Sequence, residues 1–189
     1  MLLQAKQLTI SVKAKTLLKV ESLEINEGDR VGLVGKNGTG KTTLLHTLSG
    51  DLEPEQGEIF TYATVSLLPQ LKEQIGHLSG GEITQNYIQA VFSKQNGVLL
   101  ADEPTTHLDQ KHIEWLEKLL AKWQGAFIVA SHDRAFLDTV CTKIWEISNE
   151  TVHEYTGNYE AYRIQKQQAI QQQKEAYENY QLKKQQLER

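Results

Sequence analysis

The order of apolar and polar residues along the chain predicts strands that alternate with helices. Residues 97–102 form an unbroken apolar run that ends in an acid, which is typical of a strand buried in a parallel sheet. Residues 41–48 place their apolar side chains at helical spacing and stop at Gly50. This alternation predicts an α/β fold. The strand candidates are Leu8–Val12, Leu17–Ile25, Arg30–Val34, Glu58–Leu68, Val98–Asp102, Ala126–Ser131 and Lys143–Ser148. The early and late strands are antiparallel candidates, whereas Arg30–Val34, Val98–Asp102 and Ala126–Ser131 are expected to be parallel neighbours.

A glycine-rich loop joins the third strand candidate to the first helix. Residues 35–42 read G-K-N-G-T-G-K-T. Such a loop aims backbone N–H groups at an anion, and the helix N-terminus adds favourable partial charge. A chance glycine turn seldom falls between a strand and a helix, so the pattern indicates a P-loop. In a P-loop, Lys41 reaches the β- and γ-phosphates and the Thr42 hydroxyl ligates Mg²⁺. The predicted binding residues here are Gly35, Lys36, Asn37, Gly38, Thr39, Gly40, Lys41, Thr42 and Thr43.

Two acids follow the apolar run at residues 97–102, whose surroundings read G-V-L-L-A-D-E-P. Open α/β sheets bind ligands at the carboxyl ends of their strands, which is where this pair falls. Asp102 would hold Mg²⁺ through its hydration shell, and Glu103 would orient or deprotonate the attacking water. Alone, the pair could equally be two solvated acids at the end of a strand.

A second loop of small residues, L-S-G-G-E at 78–82, precedes a predicted helix from Glu82 to about Ser93. A small-residue loop that leads into a helix N-terminus is again a candidate anion site. The tripeptide Ser-Gly-Gly also occurs in many linkers, so this loop alone does not indicate an anion site and must be interpreted together with the other motifs.

The combined order of these motifs resembles that of the ABC ATPases. The P-loop is followed by Gln70, then by the L-S-G-G-E loop, then by D-E-P, Asp109 and S-H-D at 131–133. By that resemblance Gln70 senses Mg²⁺ and the attacking water, and Asp109 belongs to the D-loop. His132 is the switch histidine that contacts the γ-phosphate. The loop at Ser79, Gly80 and Gly81 would complete the nucleotide site of a partner domain.

Further features resemble the ABC-F proteins, which have two ABC domains, no membrane part, and act on ribosomes. These features are D-E-P-T-T-H-L-D at 102–109 and Y-T-G-N-Y-E-A-Y at 155–162. Residues 71–77 leave space for only a minimal helical subdomain, whereas transporter domains place several dozen residues there. The short spacing is most similar to the Vga-type antibiotic-resistance branch. The alternative function is the ATPase subunit of an ABC membrane transporter.

One position departs from the ABC pattern. ABC domains usually stack an aromatic residue on adenine about two dozen positions before the P-loop, and the aligned position here is Val12. Residues 1–59 contain no Phe, Tyr or Trp. Because a base–aromatic stack is worth ~1–3 kcal/mol, we expect loose adenine selectivity and competition by GTP.

The C-terminal residues differ from the rest in charge and pattern. Residues 163–189 carry six Lys or Arg against three Glu, whereas residues 1–162 carry fourteen against twenty-one Asp or Glu. The tail has no Gly or Pro and predicts a long, polar helix with a thin heptad seam. By resemblance to the ABC-F proteins, we expect an ABC domain at 1–162 and the start of the ribosome-contacting interdomain linker at 163–189. The alternative is a solvated linker without such a contact. The chain is then expected to be the first half of a protein with a second ABC domain. The seam residues are Tyr162, Ala169, Ala176, Tyr180 and Leu187.

The remaining composition fits a soluble globular protein of the reducing cytoplasm. No apolar run approaches the ~20 residues that a membrane span needs. The single Cys141 excludes an intrachain disulfide and is interpreted as a buried core thiol. Trp115, Trp123 and Trp145 are interpreted as packing residues. By the ABC resemblance, one chain supplies parts of two half-sites and no complete site. We therefore expect it to bind ATP and Mg²⁺ but to hydrolyse ATP slowly unless two copies pair.

Overall fold

The structure is a computed structural model that describes residues 1–68, 88, 92, 97–106 and 108–187, with backbone alone at 182–187. Strands and helices alternate through most of the chain, as predicted. The strands are β1 (Leu3–Val12), β2 (Lys15–Ile25), β3 (Arg30–Gly35), β4 (Gln56–Thr61), β5 (Thr64–Leu68), β6 (Gly97–Asp102), β7 (Ala126–Ala130), β8 (Lys143–Ser148) and β9 (Thr151–Thr156). The helices are α1 (Lys41–Ser49), α2 (Gln110–Ala121), α3 (Arg134–Val140) and α4 (Tyr159–Leu187).

A six-stranded sheet with the order β5-β6-β7-β3-β8-β9 forms the centre of the domain. Strand β7 pairs in parallel with β3 on one side and with β6 on the other. The three strands that end at the P-loop, the acid pair and the S-H-D segment are therefore parallel neighbours, as the sequence predicts. Their carboxyl ends meet at one edge of the sheet, where a ligand can contact all three.

A smaller antiparallel sheet with the order β2-β1-β4 packs beside the central sheet. The prediction of one strand over Glu58–Leu68 is wrong, because the chain bends at residues 62 and 63. Before the bend β4 pairs with β1, and after it β5 pairs with β6 in the central sheet. Both halves are rich in β-branched and apolar residues, and the bend contains no Gly or Pro. Local propensity therefore does not reveal the change of sheet.

The late strands combine both kinds of pairing. We expected Lys143–Ser148 to be antiparallel, yet β8 runs parallel to β3 and antiparallel only to β9. The predicted set does not include strand β9, because residues 151–156 are polar apart from Val152 and Tyr155 and none of them is buried at this edge of the sheet. This hairpin matters for the site, since β8 lies directly beside the strand that carries the P-loop.

Apolar side chains cover both faces of the central sheet, because successive strand residues point to opposite faces. Helix α1 and the smaller sheet pack on one face, whereas α2, α3 and the start of α4 pack on the other. The packing role predicted for the tryptophans is confirmed: Trp145 is fully buried, Trp123 is 8% exposed, and Trp115 packs against the core. Cys141 is a buried thiol as predicted, and burial raises the pKa of this thiol to about 12.

Helix α4 is long, as the tail pattern predicts, but only its beginning packs on the domain. Tyr162 is buried, whereas every side chain from Gln167 to Tyr180 is exposed. The proposed boundary between residues 162 and 163 falls inside this helix. Within the described residues, no helix combines the length and apolar character that a membrane crossing requires.

Candidate nucleotide-binding site

The P-loop connects β3 to α1 with open backbone donors. Gly40 precedes the helix with φ of 104°, a left-handed conformation that favours glycine, and no side chain caps the helix there. The first N–H groups of an α-helix have no partner within the helix. They therefore remain available to an anion, and the helix dipole adds favourable charge at the same place.

The other end of the loop requires glycine for a different reason. A Cβ atom on Gly35 would lie 2.8 Å from Thr39 Oγ1 and 2.9 Å from the carbonyl oxygen of Ile147. Thr39 Oγ1 donates a hydrogen bond of 2.9 Å to the carbonyl of Lys36, which closes the turn. The loop is thus packed against β8, the strand to which Ile147 belongs.

Lys41 lies beneath this loop and is 9% exposed. Its Nζ atom donates to the carbonyl oxygens of Gly35 at 2.8 Å and Lys36 at 3.3 Å. Burial lowers the pKa of this ammonium, and the charges of Glu103 and Asp102 oppose that effect. These contacts hold the lysine ammonium against the first two residues of the P-loop.

The acid pair lies where β6 ends. Asp102 is buried and pairs in register with Ala130 of β7. The chain then turns sharply at Glu103, whose φ is 49° and whose backbone N–H donates to the Ala130 carbonyl at 2.8 Å. A positive φ outside glycine costs of order 1–3 kcal/mol and often marks a functional position. Here the turn directs the Glu103 carboxylate toward His132.

Glu103 and His132 face one another across the carboxyl ends of β6 and β7. The backbone N–H of His132 donates to Glu103 Oε2 at 3.3 Å, and His132 Nε2 lies 3.4 Å from Glu103 Oε1. Among the described residues no donor makes a hydrogen bond to the buried Oε1 atom. Burial raises the pKa of the Glu103 carboxyl, although the His132 backbone N–H partly opposes it. A carboxylate oxygen without a donor can accept a proton or a water hydrogen bond.

These groups line a single cavity of about 980 Å³. It brings together Asp102, Glu103, His132 and most of the P-loop, which the sequence placed in one site. Four further lining residues, which belong to no motif recognised in the sequence, come from the β1–β2 turn, from β2 and from the segment after Glu103. They are Lys13, Lys15, Leu17 and Thr106. The P-loop members of the lining are Asn37, Gly38, Gly40, Lys41, Thr42 and Thr43.

One side of this cavity is built by a tight turn. Lys13 and Ala14 both have positive φ, and Val12 pairs with Lys15 across the two-residue loop. Such turns usually carry Asn-Gly, so Lys-Ala gives no sequence signal for a hairpin. The turn brings Val12 to the cavity, where its side chain is 43% exposed.

Several predicted site residues lie elsewhere. Gly35, Lys36 and Thr39 line a neighbouring cavity on the far side of the loop. Asp109 does not line the nucleotide cavity: it caps α2 by accepting from the His112 backbone N–H at 3.0 Å. That bond is the main cause that lowers the pKa of the Asp109 carboxyl. Gln70, Ser79, Gly80, Gly81 and the short segment 71–77 fall outside the described residues.

The fold and the site together define an ATP-binding domain of the ABC type. The sequence profile of the family described as "ABC transporter" matches residues 18–68. The ribosome protection protein VmlR of Bacillus subtilis is 35% identical, with 90% of this chain and 36% of that protein aligned. The erythromycin resistance ATP-binding protein MsrA of Staphylococcus epidermidis is 31% identical over 80% of this chain and 36% of its own length.

Solved structures show the same fold. An ATP-binding subunit of an ABC transporter superposes with a TM-score of 0.65 at 18% identity, covering 82% of this chain and 90% of that one. A structure titled RNase-L Inhibitor gives a TM-score of 0.71 at 23% identity, covering 82% of this chain and 40% of that one. The chain belongs to the ABC-F family of ABC ATPases. It spans about 36% of the length of the two curated relatives named above.

Proposed function

We propose that this chain binds ATP with Mg²⁺ and hydrolyses it as one half of an ABC ATPase pair, using Glu103 as the catalytic carboxylate. The observation that carries the proposal is the buried Glu103 Oε1 atom, which has no hydrogen-bond donor among the described residues and borders the P-loop cavity. Its raised pKa, caused by burial, suits a group that accepts a proton from water near neutral pH.

Each step of the reaction has a residue in this cavity. The P-loop N–H groups and Lys41 would bind the phosphates, and Glu103 would orient the attacking water and accept its proton. His132 lies 3.4 Å from Glu103, its side chain is 61% exposed, and it lines the cavity, so it could contact the γ-phosphate. Phosphoryl transfer depends mainly on such positioning and on neutralisation of charge.

The donor set near the phosphates fits Mg²⁺. The Thr42 hydroxyl and the Asp102 carboxylate line the same cavity, and both are hard oxygen ligands. When bound, Mg²⁺ neutralises charge on the phosphates and lowers the barrier to their transfer. We assign Gln70 to the same set on the ABC resemblance.

We further propose that hydrolysis needs a second ABC domain. By the ABC resemblance, the loop Ser79–Gly81 and Asp109 would face a site formed mainly by the partner domain. The exposed position of Asp109, away from this chain's own cavity, agrees with that assignment. One chain alone would bind ATP and hydrolyse it slowly.

For the whole protein we propose a cytoplasmic, ATP-switched factor that binds ribosomes and protects them from antibiotics. This rests on the ABC-F membership and on relatives whose names state ribosome protection and erythromycin resistance. The exposed helix α4 would belong to the linker that contacts the ribosome, and residues 1–162 would form the ATPase. The alternative, a transporter subunit, predicts binding to membranes instead.

The test uses Glu103→Gln in the longest natural form of the protein. ATP binding should persist while turnover falls by roughly a hundredfold or more, the scale of a lost general base. Because it binds ATP without hydrolysing it, Glu103→Gln should remain in the ATP-bound state. This variant should pellet with ribosomes more than wild type does, and neither should pellet with membrane vesicles. Glu27→Gln, which changes an exposed carboxylate, is the matched control. Lys41→Ala provides the form that fails to bind ATP.

Wild-type turnover in Glu103→Gln would refute the catalytic assignment alone. Co-sedimentation with vesicles and not with ribosomes would favour the transporter function. Intact ATP binding by Lys41→Ala would refute the assignment of the P-loop.

A further inference from the structure

A buried acid outside the nucleotide cavity has no role in the proposed chemistry. Glu146 lies on β8 and is 6% exposed. One carboxylate oxygen, Oε1, accepts a hydrogen bond from Lys166 Nζ of helix α4, and the other, Oε2, accepts from the Tyr155 hydroxyl at 3.5 Å. Buried charges are costly unless they are paired and hydrogen-bonded. Glu146 meets that condition through Tyr155 of β9 and Lys166 of α4, and only Lys166 supplies the opposite charge.

Aromatic side chains surround the pair. Lys166 Nζ also donates to the Tyr162 hydroxyl at 3.3 Å and lies 5.7 Å from the centre of that ring. The Tyr155 and Tyr162 rings meet edge to face with centroids 5.0 Å apart. Burial alone would lower the pKa of Lys166, but the hydrogen bond and the charge of Glu146 outweigh it and raise that pKa. We call Glu146, Tyr155, Tyr162 and Lys166 the Glu146 cluster.

The Glu146 cluster lies where helix α4 leaves the domain. Lys166 is the last partly buried side chain before a fully exposed stretch that begins at Gln167 and runs to Tyr180. Earlier in the helix, the Glu160 N–H is held by Asp138 Oδ1 at 2.8 Å. The direction of the exposed helix is therefore set by its first two turns, with Lys166 as the outermost contact.

The same cluster is one strand away from the P-loop. Glu146 stands in register with Val34, and Ile147 with Gly35, the first P-loop residue. The Ile147 carbonyl is in such close contact with Gly35 that a Cβ atom there would lie 2.9 Å from it. A displacement of β8 would therefore move the start of the P-loop.

A cavity of about 840 Å³ links the two regions directly. Its wall includes Lys36 and Thr39 from the P-loop, His132 from the switch segment, and Glu146, Tyr162 and Lys166 from the cluster. The P-loop and the switch histidine thus have open space on the side that faces the base of α4. Movement there on nucleotide binding would change the packing around the Glu146–Lys166 pair.

We propose that Glu146 and Lys166 are positioning residues that couple the nucleotide site to the direction of helix α4. The coupling rests on the proposed function, since it requires nucleotide in the P-loop cavity. Coupling between two sites is reciprocal, so nucleotide should tighten the base of α4 and the Glu146–Lys166 pair should strengthen nucleotide binding by the same factor. The pair acts through β8 and touches no reacting atom.

The experiment measures amide hydrogen exchange at residues 159–167 of this chain, with and without a saturating non-hydrolysable ATP analogue and Mg²⁺. In wild type the analogue should slow exchange there by roughly fivefold or more, the lower end of typical coupling. Lys166→Met should lose this slowing, and its Kd for the analogue should rise by about the same factor. Lys166→Arg should retain both. Lys174→Met, which changes an exposed lysine on the same helix, is the matched control.

A purely structural role gives a different result: Lys166→Met would speed exchange equally with and without the analogue and leave Kd unchanged, which would overturn the proposal. Unchanged exchange in wild type that binds the analogue would also overturn it, even where a variant fails to fold. Failure of wild type and Lys174→Met alike to bind the analogue would overturn the proposed function, and the coupling with it.

Discussion

The surroundings of the Glu103 side chain disfavour its ionised form. Its side chain is 15% exposed, its φ is positive, and its Oε1 atom accepts no hydrogen bond from the described residues. Each of these features costs stability, and under the proposed function each suits a group that accepts a proton from water. The fold is thus less stable because of a residue that we propose to be reactive, as is common for active-site carboxylates.

We predict that Glu103→Gln stabilises the fold at neutral pH. Burial raises the pKa of Glu103 above its ordinary value of 4.5. Below that value the group is protonated in both the folded and the unfolded state, and no penalty arises. As pH rises through the folded-state pKa, the buried carboxyl must ionise at a cost, so wild type loses stability relative to the amide.

Thermal unfolding of both forms from pH 4 to pH 8 measures this difference. The Tm of Glu103→Gln should exceed that of wild type most at neutral pH, and the two should converge as the pH falls toward 4.5. Glu27→Gln should show no such convergence, because its side chain is exposed. If the Tm difference between Glu103→Gln and wild type instead grew as the pH fell, the ionised carboxylate would be stabilised in the fold and the prediction would be wrong.

At the scale of an element, the β1–β2 turn shapes the side of the cavity where the proposed function would place the base. It supplies Val12, Lys13 and Lys15 to the lining, and β2 adds Leu17. No Phe, Tyr or Trp occurs among the described lining residues. The base would therefore contact aliphatic side chains and lysine stems, which distinguish purines poorly.

We predict that the ATP and GTP affinities of this chain lie within about tenfold, or ~1.4 kcal/mol, the order of one lost stack. Competition binding with a fluorescent analogue measures both values. Val12→Tyr should strengthen binding by restoring a stacking surface worth ~1–3 kcal/mol. A preference of wild type for ATP beyond a hundredfold would mean that another side chain reads the adenine.

Helix α4 is a second element at this scale, and its stability depends on what packs against it. Its seam residues Ala169, Ala176 and Tyr180 are exposed, as are Ile170 and Tyr177. An isolated helix in water is marginal unless its apolar side packs on something. Only the first two turns have such packing in the described structure.

We predict fast hydrogen exchange beyond about Gln171 in this chain and slow exchange at the base of α4. In a longer form of the protein, pairing with a following antiparallel helix should slow the outer part. Exchange measured in both forms tests this. Strong protection beyond Gln171 in the monomeric 189-residue chain would show that the helix packs on the ABC domain, and the linker assignment would then be wrong.

For the whole molecule, the proposed site is only one half of an active site. The cavity holds the P-loop, the acids and His132, and by the ABC resemblance the remaining contacts come from a second domain.

We predict that ATP turnover per molecule rises with protein concentration, because only paired copies complete the site. Steady-state phosphate release over a hundredfold range of concentration measures this, and Glu103→Gln is the blank. A constant turnover number would mean that one chain is catalytically sufficient.

Motifs that are contiguous in sequence could be predicted because their chemistry is local. The P-loop needs its glycines, its lysine and a following helix within eight residues, and the acid pair needs only the end of a buried strand. The sequence likewise identified Trp145 and Cys141 as core residues, since large apolar side chains and an unpaired thiol are usually buried. These predictions depend on short-range physics that neighbouring residues fix.

The sequence by itself therefore determined the phosphate-binding loop, the acid pair, the parallel order of their strands and the long polar helix. Only the tertiary structure decided that residues 56–68 divide between two sheets, that the β1–β2 turn reaches the nucleotide cavity, and that Glu146 holds Lys166 one strand from the P-loop. Each of these depends on contacts between residues far apart in the chain. Such contacts follow from the packing of whole elements, which no local pattern of residue types encodes.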